Sequence, residues 1–173
     1  MKNSKRESIA LFFIDLYGTI DGKFSDYDLQ VFAKLLKRLK EKNKSNYLFF
    51  DLLSTESPDI VDYYELVLSK YFSDGLRVME KFPNEEVTKE TKIAYALSYI
   101  EHLKKQFDIV AVYCADDSVM VHEMFGNTLL YKEGIELHSI IPKDGDNNLN
   151  FINNEIEKCF IGQNSKYLSN YRC

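Results

Sequence analysis

Residues 9–14 form a run of six apolar side chains, IALFFI, and Asp15 follows this run directly. A short continuous apolar run that ends at a turn predicts a strand buried in a sheet. The next residues, LYGTI at positions 16–20, include Gly18 and are typical of a turn. A carboxylate therefore stands where a buried strand opens into a turn, and open α/β sheets place their chemistry at this point.

A second apolar run, at residues 109–114, leads to a pair of carboxylates, Asp116 and Asp117. Its length again predicts a buried strand. Because two strands deliver acidic residues to their carboxyl ends, the simplest interpretation is one site shared by Asp15 and this pair. Since Asp also commonly caps helices, the alternative is that Asp15 and Asp116 only end strands or begin helices.

Strand-like and helix-like segments alternate along the whole chain. Strands are predicted at residues 8–14, 47–53, 75–79, 108–114 and 135–141, and helices at residues 26–42, 57–72, 88–106, 119–125 and 151–160. The fourth helix is expected to end near Gly126. This alternation predicts an α/β fold with a doubly wound, mainly parallel sheet and helices on both faces.

Length and composition predict one globular domain over residues 1–173, in which residues 143–173 form a loop, a C-terminal helix and a tail. The chain is 45% hydrophobic and 28% charged, and its formal charge of −5 argues against general nucleic-acid binding. The three cysteines show no CxxC spacing, which is typical of a reduced protein. No apolar stretch approaches the roughly 20 residues that span a bilayer, so we expect a cytoplasmic protein without a membrane partner.

The sequence FIDLYGTI, residues 13–20, resembles the first motif of the haloacid dehalogenase (HAD) superfamily, Asp-x-Asp-Gly-Thr after a hydrophobic strand. Tyr17 replaces the second Asp of that motif, as in the haloacid dehalogenases themselves. Three less specific motifs extend the resemblance, and they would supply a hydroxyl, a lysine and a further carboxylate. Their positions are filled by Ser54 or Thr55, by Lys89 or Lys92, and by Asp116 or Asp117.

The resemblance implies a Mg²⁺-dependent phosphoryl-transfer site. Asp15 would attack phosphorus and form an aspartyl-phosphate. Mg²⁺ would be held by Asp15, by the backbone carbonyl of Tyr17 and by the fourth-motif carboxylate, all of them hard oxygen ligands. The second-motif hydroxyl and the third-motif ammonium would hold phosphate oxygens.

Tyr17 is the main departure from the family pattern. Phosphatases carry there the Asp that protonates the leaving group, and a phenol of reference pKa about 10 is poorly matched to that role. The fourth motif lacks a further carboxylate downstream, because residues 119–121 are Val, Met and Val. The intervals between the motifs are also too short for a large cap domain, which leaves the site open to a macromolecule or a bulky substrate.

We therefore predict a catalytically weak or inactive HAD-like protein that retains a Mg²⁺ site and acts as a regulatory or inhibitory protein by binding a phosphorylated ligand or a protein partner. The alternative is a Mg²⁺-dependent phosphohydrolase in which Asp117, Asp51 or another group replaces the missing acid. If its strand ends at Phe50, Asp51 faces the site; otherwise it is an acid inside a buried strand and must be paired. Dehalogenase chemistry is the least expected, because no enclosure for a small substrate is visible.

Overall fold

The computed structural model describes residues 6–21, 24–81, 87–88, 90–129, 133–143 and 145–161. The strands are β1 (Ser8–Ile14), β2 (Tyr47–Leu52), β3 (Leu76–Val78), β4 (Asp108–Ala115) and β5 (Glu136–Ile140). The helices are α1 (Asp26–Lys42), α2 (Pro58–Leu68), α3 (Lys92–Leu103), α4 (Val119–Thr128) and α5 (Leu149–Lys158). Within these ranges, no helix combines the length and the apolar character that a membrane crossing requires.

The five strands form one parallel sheet in the order β3-β2-β1-β4-β5, which confirms the predicted doubly wound α/β fold. The chain builds outwards from β1 to β3 and then crosses back to place β4 on the other side of β1. The two strands that carry the acidic residues are therefore neighbours, as predicted, with Ile14 paired to Ala115. Their carboxyl ends form the switch point of the sheet, because the chain continues from β1 to α1 on one face and from β4 to α4 on the other.

The side chains of β1 alternate between two hydrophobic cores on opposite faces of the sheet. Its even-numbered residues, from 10 to 14, pack with α1, α2 and α5. Its odd-numbered residues, from 9 to 13, pack with α3 and α4. Asp15 continues the odd-numbered series, and so it belongs to the face of the sheet that α3 and α4 cover.

Helix α2 is shorter than predicted, and α5 begins earlier. α2 ends at Leu68 rather than near Phe72, because the chain turns there and packs the Phe72 ring against Phe32. α5 begins at Leu149, since the side chain of Asn148 accepts a hydrogen bond from the first turn of the helix.

Helix α3 begins later than predicted and α4 ends later. Thr88 and Thr91 form a hydrogen-bonded turn ahead of α3, which therefore starts only at Lys92. The prediction that α4 ends near Gly126 is wrong, because the helix continues past this glycine. Leu129, just beyond the helix, is fully buried and keeps this last turn against the core.

Candidate functional site

Main-chain hydrogen bonds fix two acidic residues at the ends of neighbouring strands. The Asp15 amide donates to the Ala115 carbonyl at 2.8 Å, and the Asp116 amide donates to the Ile140 carbonyl at 3.1 Å. These bonds extend the strand ladders by one residue, so both residues leave the sheet at its carboxyl edge. Asp15 and Asp116 are both buried.

Lys92, the first residue of α3, lies between these two carboxylates. Its Nζ is 3.2 Å from Asp15 Oδ2 and 2.5 Å from Asp116 Oδ2. The lysine is itself buried, and charges interact more strongly there than in water. The sequence offered Lys89 or Lys92 as the third-motif lysine. Lys92 contacts Asp15 and Asp116, whereas Lys89 lies outside the described residues.

The loops that follow β1 and β4 touch each other through Gly18 and Asp117. The Asp117 amide donates to Thr19 Oγ1 at 3.0 Å. Gly18 has a φ of +78°, and a Cβ atom added to it would lie 2.5 Å from Asp117 Oδ2. Glycine is therefore required at this position both by the left-handed backbone and by the closeness of the carboxylate.

Asp15, Asp116 and Asp117 each present one carboxylate oxygen, and these three oxygens lie within 4.8 Å of one another. Mg²⁺ takes oxygen ligands at about 2.1 Å, so two ligands of one ion are at most about 4.2 Å apart. If two of these oxygens are the full 4.8 Å apart, they must approach each other by about 0.6 Å to bind one ion. Asp117 can make this movement, because its side chain is exposed whereas those of Asp15 and Asp116 are buried. The donor set therefore fits a hard divalent cation. We call Lys92 and these three carboxylates the Lys92 cluster.

The charges of the Lys92 cluster do not balance. Burial raises the pKa of Asp15 to about 6; the charge of Lys92 opposes this shift and that of Asp116 adds to it. Burial acts to lower the pKa of Lys92, but the charges of Asp15 and Asp116 outweigh it and raise this pKa above its ordinary value. Lys92 is thus an ammonium at neutral pH, and it faces more negative charge than it neutralises.

Of the two candidate hydroxyls, Ser54 is buried and Thr55 is exposed. The Leu53 amide donates to the Ile14 carbonyl at 2.8 Å, so the pairing of β2 with β1 continues up to the residue before Ser54. Ser54 therefore lies just beyond the end of β2, at the same edge of the sheet as Asp15. A role for either hydroxyl in holding phosphate stays a prediction.

The Tyr17 side chain is 73% exposed. It stands between Asp15 and Gly18 in the chain, but its phenol lies mostly in solvent rather than among the buried carboxylates. Ligation of a metal by the Tyr17 carbonyl stays a prediction.

Asp51 belongs to a second buried group of charges. Because β2 continues to Leu52, Asp51 lies inside a strand, is 2% exposed and, as an acid in that position requires, is paired. Lys81 Nζ forms salt bridges with Asp51 Oδ1 and, at 2.8 Å, with Glu65 Oε1. It also donates to the Leu52 carbonyl at 3.1 Å. We call Lys81, Asp51 and Glu65 the Lys81 cluster.

The sequence reasoning missed Lys81 and Glu65, although one signal for Glu65 was present. Glu65 lies on the buried face of α2 together with Val61 and Leu68, at helical spacing. A carboxylate on an apolar face requires a cationic or hydrogen-bonding partner. Nothing in the sequence points to Lys81 as that partner, because it lies beyond β3 and meets Glu65 only in the folded chain.

His122 was expected to have a surface or structural role, and it supports the Lys92 cluster from α4. Its Nε2 lies 2.8 Å from the carbonyl oxygen of Asp116, which can only accept, so this nitrogen carries the proton. Burial lowers the pKa of His122, which keeps the imidazole neutral at pH 7. The available signal was its position next to Val121 on the inward face of α4.

No protein-family model, no curated protein and no solved structure matches the chain.

Proposed function

We propose that the Lys92 cluster binds Mg²⁺ together with a phosphoryl group, and that the chain is a catalytically weak or inactive HAD-like protein. It would regulate or inhibit by binding a phosphorylated ligand or a protein partner. The observation that carries this proposal is the convergence of three carboxylates from two neighbouring strands, within 4.8 Å of one another, beside a buried ammonium. The same residues resemble the first, third and fourth motifs of the family.

Asp15, Asp116 and Asp117 would hold the cation, which supplies positive charge to an incoming phosphoryl group. With a pKa of about 6, Asp15 is mostly ionised at pH 7 and has the charge that a nucleophile towards phosphorus needs. Lys92 is placed to donate to an oxygen of the same group. The exposed Tyr17 offers no carboxylic acid for the leaving group, and general acid–base help is typically worth a factor of about 10² to 10⁴.

The alternative function, a Mg²⁺-dependent phosphohydrolase, draws support from Asp117. This carboxylate is exposed, lies against Gly18 and belongs to the acidic group around Asp15, so it can contact a ligand there. Asp51 is a poor substitute for the missing acid, because it is buried and bound to Lys81.

Calorimetry with inorganic phosphate and Mg²⁺, combined with turnover of p-nitrophenyl phosphate, tests the proposal. We expect the wild type to bind phosphate only with Mg²⁺ present, Asp15→Asn to lose this binding, and turnover to stay near the uncatalysed rate. Asp108→Asn is the matched control, because Asp108 is an exposed residue at the opposite end of the strand that leads to Asp116. Absence of phosphate binding in the wild type would refute the proposal, whereas high turnover that Asp15→Asn abolishes would favour the phosphohydrolase.

A further inference from the structure

Both carboxylate oxygens of Asp116 are already occupied. Oδ1 accepts a hydrogen bond from the Ser118 amide at 2.8 Å, and Oδ2 contacts Lys92 Nζ at 2.5 Å. Asp116 is 1% exposed, so no side of it is open to solvent. The ammonium of Lys92 thus occupies the place between Asp15 and Asp116 that a shared cation would take.

The two contacts of Asp116 differ in how easily they can be given up. The Ser118 amide belongs to the main chain at the start of α4, and withdrawing it means moving the helix. The Lys92 ammonium stands at the end of a flexible side chain and can turn away without moving the backbone. A Mg²⁺ ion that shared Oδ2 with this ammonium would lie about 4 Å from it, and two cations at that distance repel strongly.

We propose that Lys92 is the built-in counter-ion of the metal-free protein, and that a divalent cation binds by displacing its ammonium from Asp116. This inference rests on the cation site of the proposed function. It makes Lys92 a competitor of the cation rather than only a partner of the phosphoryl group. Removing the ammonium should therefore destabilise the metal-free protein and, at the same time, strengthen cation binding.

The Lys81 cluster provides a matched control inside the same chain. Lys81 also bridges two buried carboxylates, those of Asp51 and Glu65. It lacks the third carboxylate, because among the described residues the acidic group of three is formed by Asp15, Asp116 and Asp117. Removing Lys81 should destabilise the fold without creating a stronger cation site.

The test measures Mg²⁺ binding by calorimetry, and melting temperature with EDTA or Mg²⁺, for the wild type, Lys92→Met and Lys81→Met. We expect Lys92→Met to melt below the wild type in EDTA, to recover with Mg²⁺ and to bind Mg²⁺ about 10- to 100-fold more tightly. Lys81→Met should melt below the wild type in both conditions, and Mg²⁺ should raise its melting temperature no more than it raises that of the wild type. Lys92→Gln, which keeps a hydrogen-bonding group but no charge, replaces Lys92→Met if that variant folds poorly, and the same tightening is expected.

The outcomes separate this inference from the proposed function. If the wild type binds Mg²⁺ and both Lys92 variants bind it no more tightly, the cation site stands and the displacement is wrong. If only the Lys92 variants bind Mg²⁺, the ammonium is a counter-ion that the cation does not displace, so both the displacement and Mg²⁺ binding by the wild type are wrong. If none of the proteins binds Mg²⁺, both proposals fail.

Discussion

The Lys92 cluster and the Lys81 cluster are built from the same parts but differ in their surroundings. Each has one lysine between two buried carboxylates. The three protons of the Lys81 ammonium meet three acceptors, namely Asp51, Glu65 and the Leu52 carbonyl. At Lys92, by contrast, a third carboxylate, that of the exposed Asp117, lies beside the two buried ones.

Position in the sheet accounts for this difference. The Lys81 cluster joins β2 to α2 and the connection after β3, where the ammonium of Lys81 has three acceptors and Asp51 Oδ2 is buried without a hydrogen-bond partner among the described residues. The Lys92 cluster lies where β1 and β4 end side by side and the chain continues to helices on opposite faces of the sheet. Both groups have one more buried carboxylate than lysine, and the Lys92 cluster has in addition the exposed carboxylate of Asp117, at the edge where open α/β sheets place their ligands.

The largest effect is expected from Tyr17→Asp, which tests whether a general acid is the only group that the site lacks. Tyr17→Asp should raise turnover of p-nitrophenyl phosphate with Mg²⁺ by up to about 10²- to 10⁴-fold, because it restores a carboxylic acid two residues after Asp15. Tyr27→Asp is the control, since Tyr27 is also 73% exposed but lies in α1. A flat rate with an intact circular dichroism spectrum would mean that the site has lost more than this acid.

The next effect tests whether the Lys81 cluster is structural. Lys81→Met leaves Asp51 and Glu65 buried without a cation, and we expect the free energy of unfolding to fall by about 3 to 5 kcal/mol in urea denaturation. Lys37→Met removes a lysine from an exposed pair with Asp74 and should change it by less than about 1 kcal/mol. Similar losses in the two variants would contradict a structural role for the Lys81 cluster.

The pH dependence of the unfolding free energy tests whether burial in the Lys92 cluster raises the pKa of Asp15. The folded pKa of Asp15 is about 6 and its ordinary value is 3.8, so between these values the folded state binds a proton more readily than the unfolded chain. Wild-type stability from this group therefore rises as the pH falls from about 6 to about 4, by at most about 3 kcal/mol.

Asp15→Asn should abolish this contribution. In EDTA, the unfolding free energy of the variant minus that of the wild type is expected to be larger at pH 7 than at pH 4. Asp108→Asn, on the exposed end of β4, should leave this difference flat. A difference that grows as the pH falls would mean that the buried carboxylate of Asp15 does not take up the proton.

The smallest effect concerns the contact between the two loops of the Lys92 cluster. Gly18 and Gly145 both have positive φ, but an added Cβ meets Asp117 at Gly18 and meets nothing within 4 Å at Gly145. We expect Gly145→Ala to cost about 1 kcal/mol and Gly18→Ala about 2 to 3 kcal/mol in unfolding free energy. Equal losses would show that the Asp117 side chain moves away from the added Cβ at no cost in unfolding free energy.

The fold was predictable because its signals are local. Runs of apolar residues predicted β1 and β4, and helical spacing predicted α1 and α3. The helix ends were predicted less well, since tertiary contacts set them. Gly126 is a plausible helix end by its own properties, yet the burial of Leu129 carries α4 past it.

The candidate site was predictable where it depends on strand ends and not where it depends on side chains from distant segments. Asp15 and Asp116 follow directly from two apolar runs. Lys89 and Lys92 are three positions apart and share one side of a helical pattern, so the choice between them depends on where α3 starts. Lys81 needed the structure, because its two partners lie in β2 and α2.

The strand order also determines at which stage of folding the Lys92 cluster can form. β1 pairs with β2 and also with β4, whose Asp108 meets Ser8 across about 100 residues of chain. Closing so long a loop costs conformational entropy before the contacts of β4 can form. The strands β1, β2 and β3 can therefore pair before β4 joins the sheet. A chain that has reached only this halfway stage, on the ribosome or in refolding, contains Asp15 but has no Asp116 beside it. A ligand that needs both carboxylates would therefore bind only molecules that have completed the sheet, and its presence during refolding would select them.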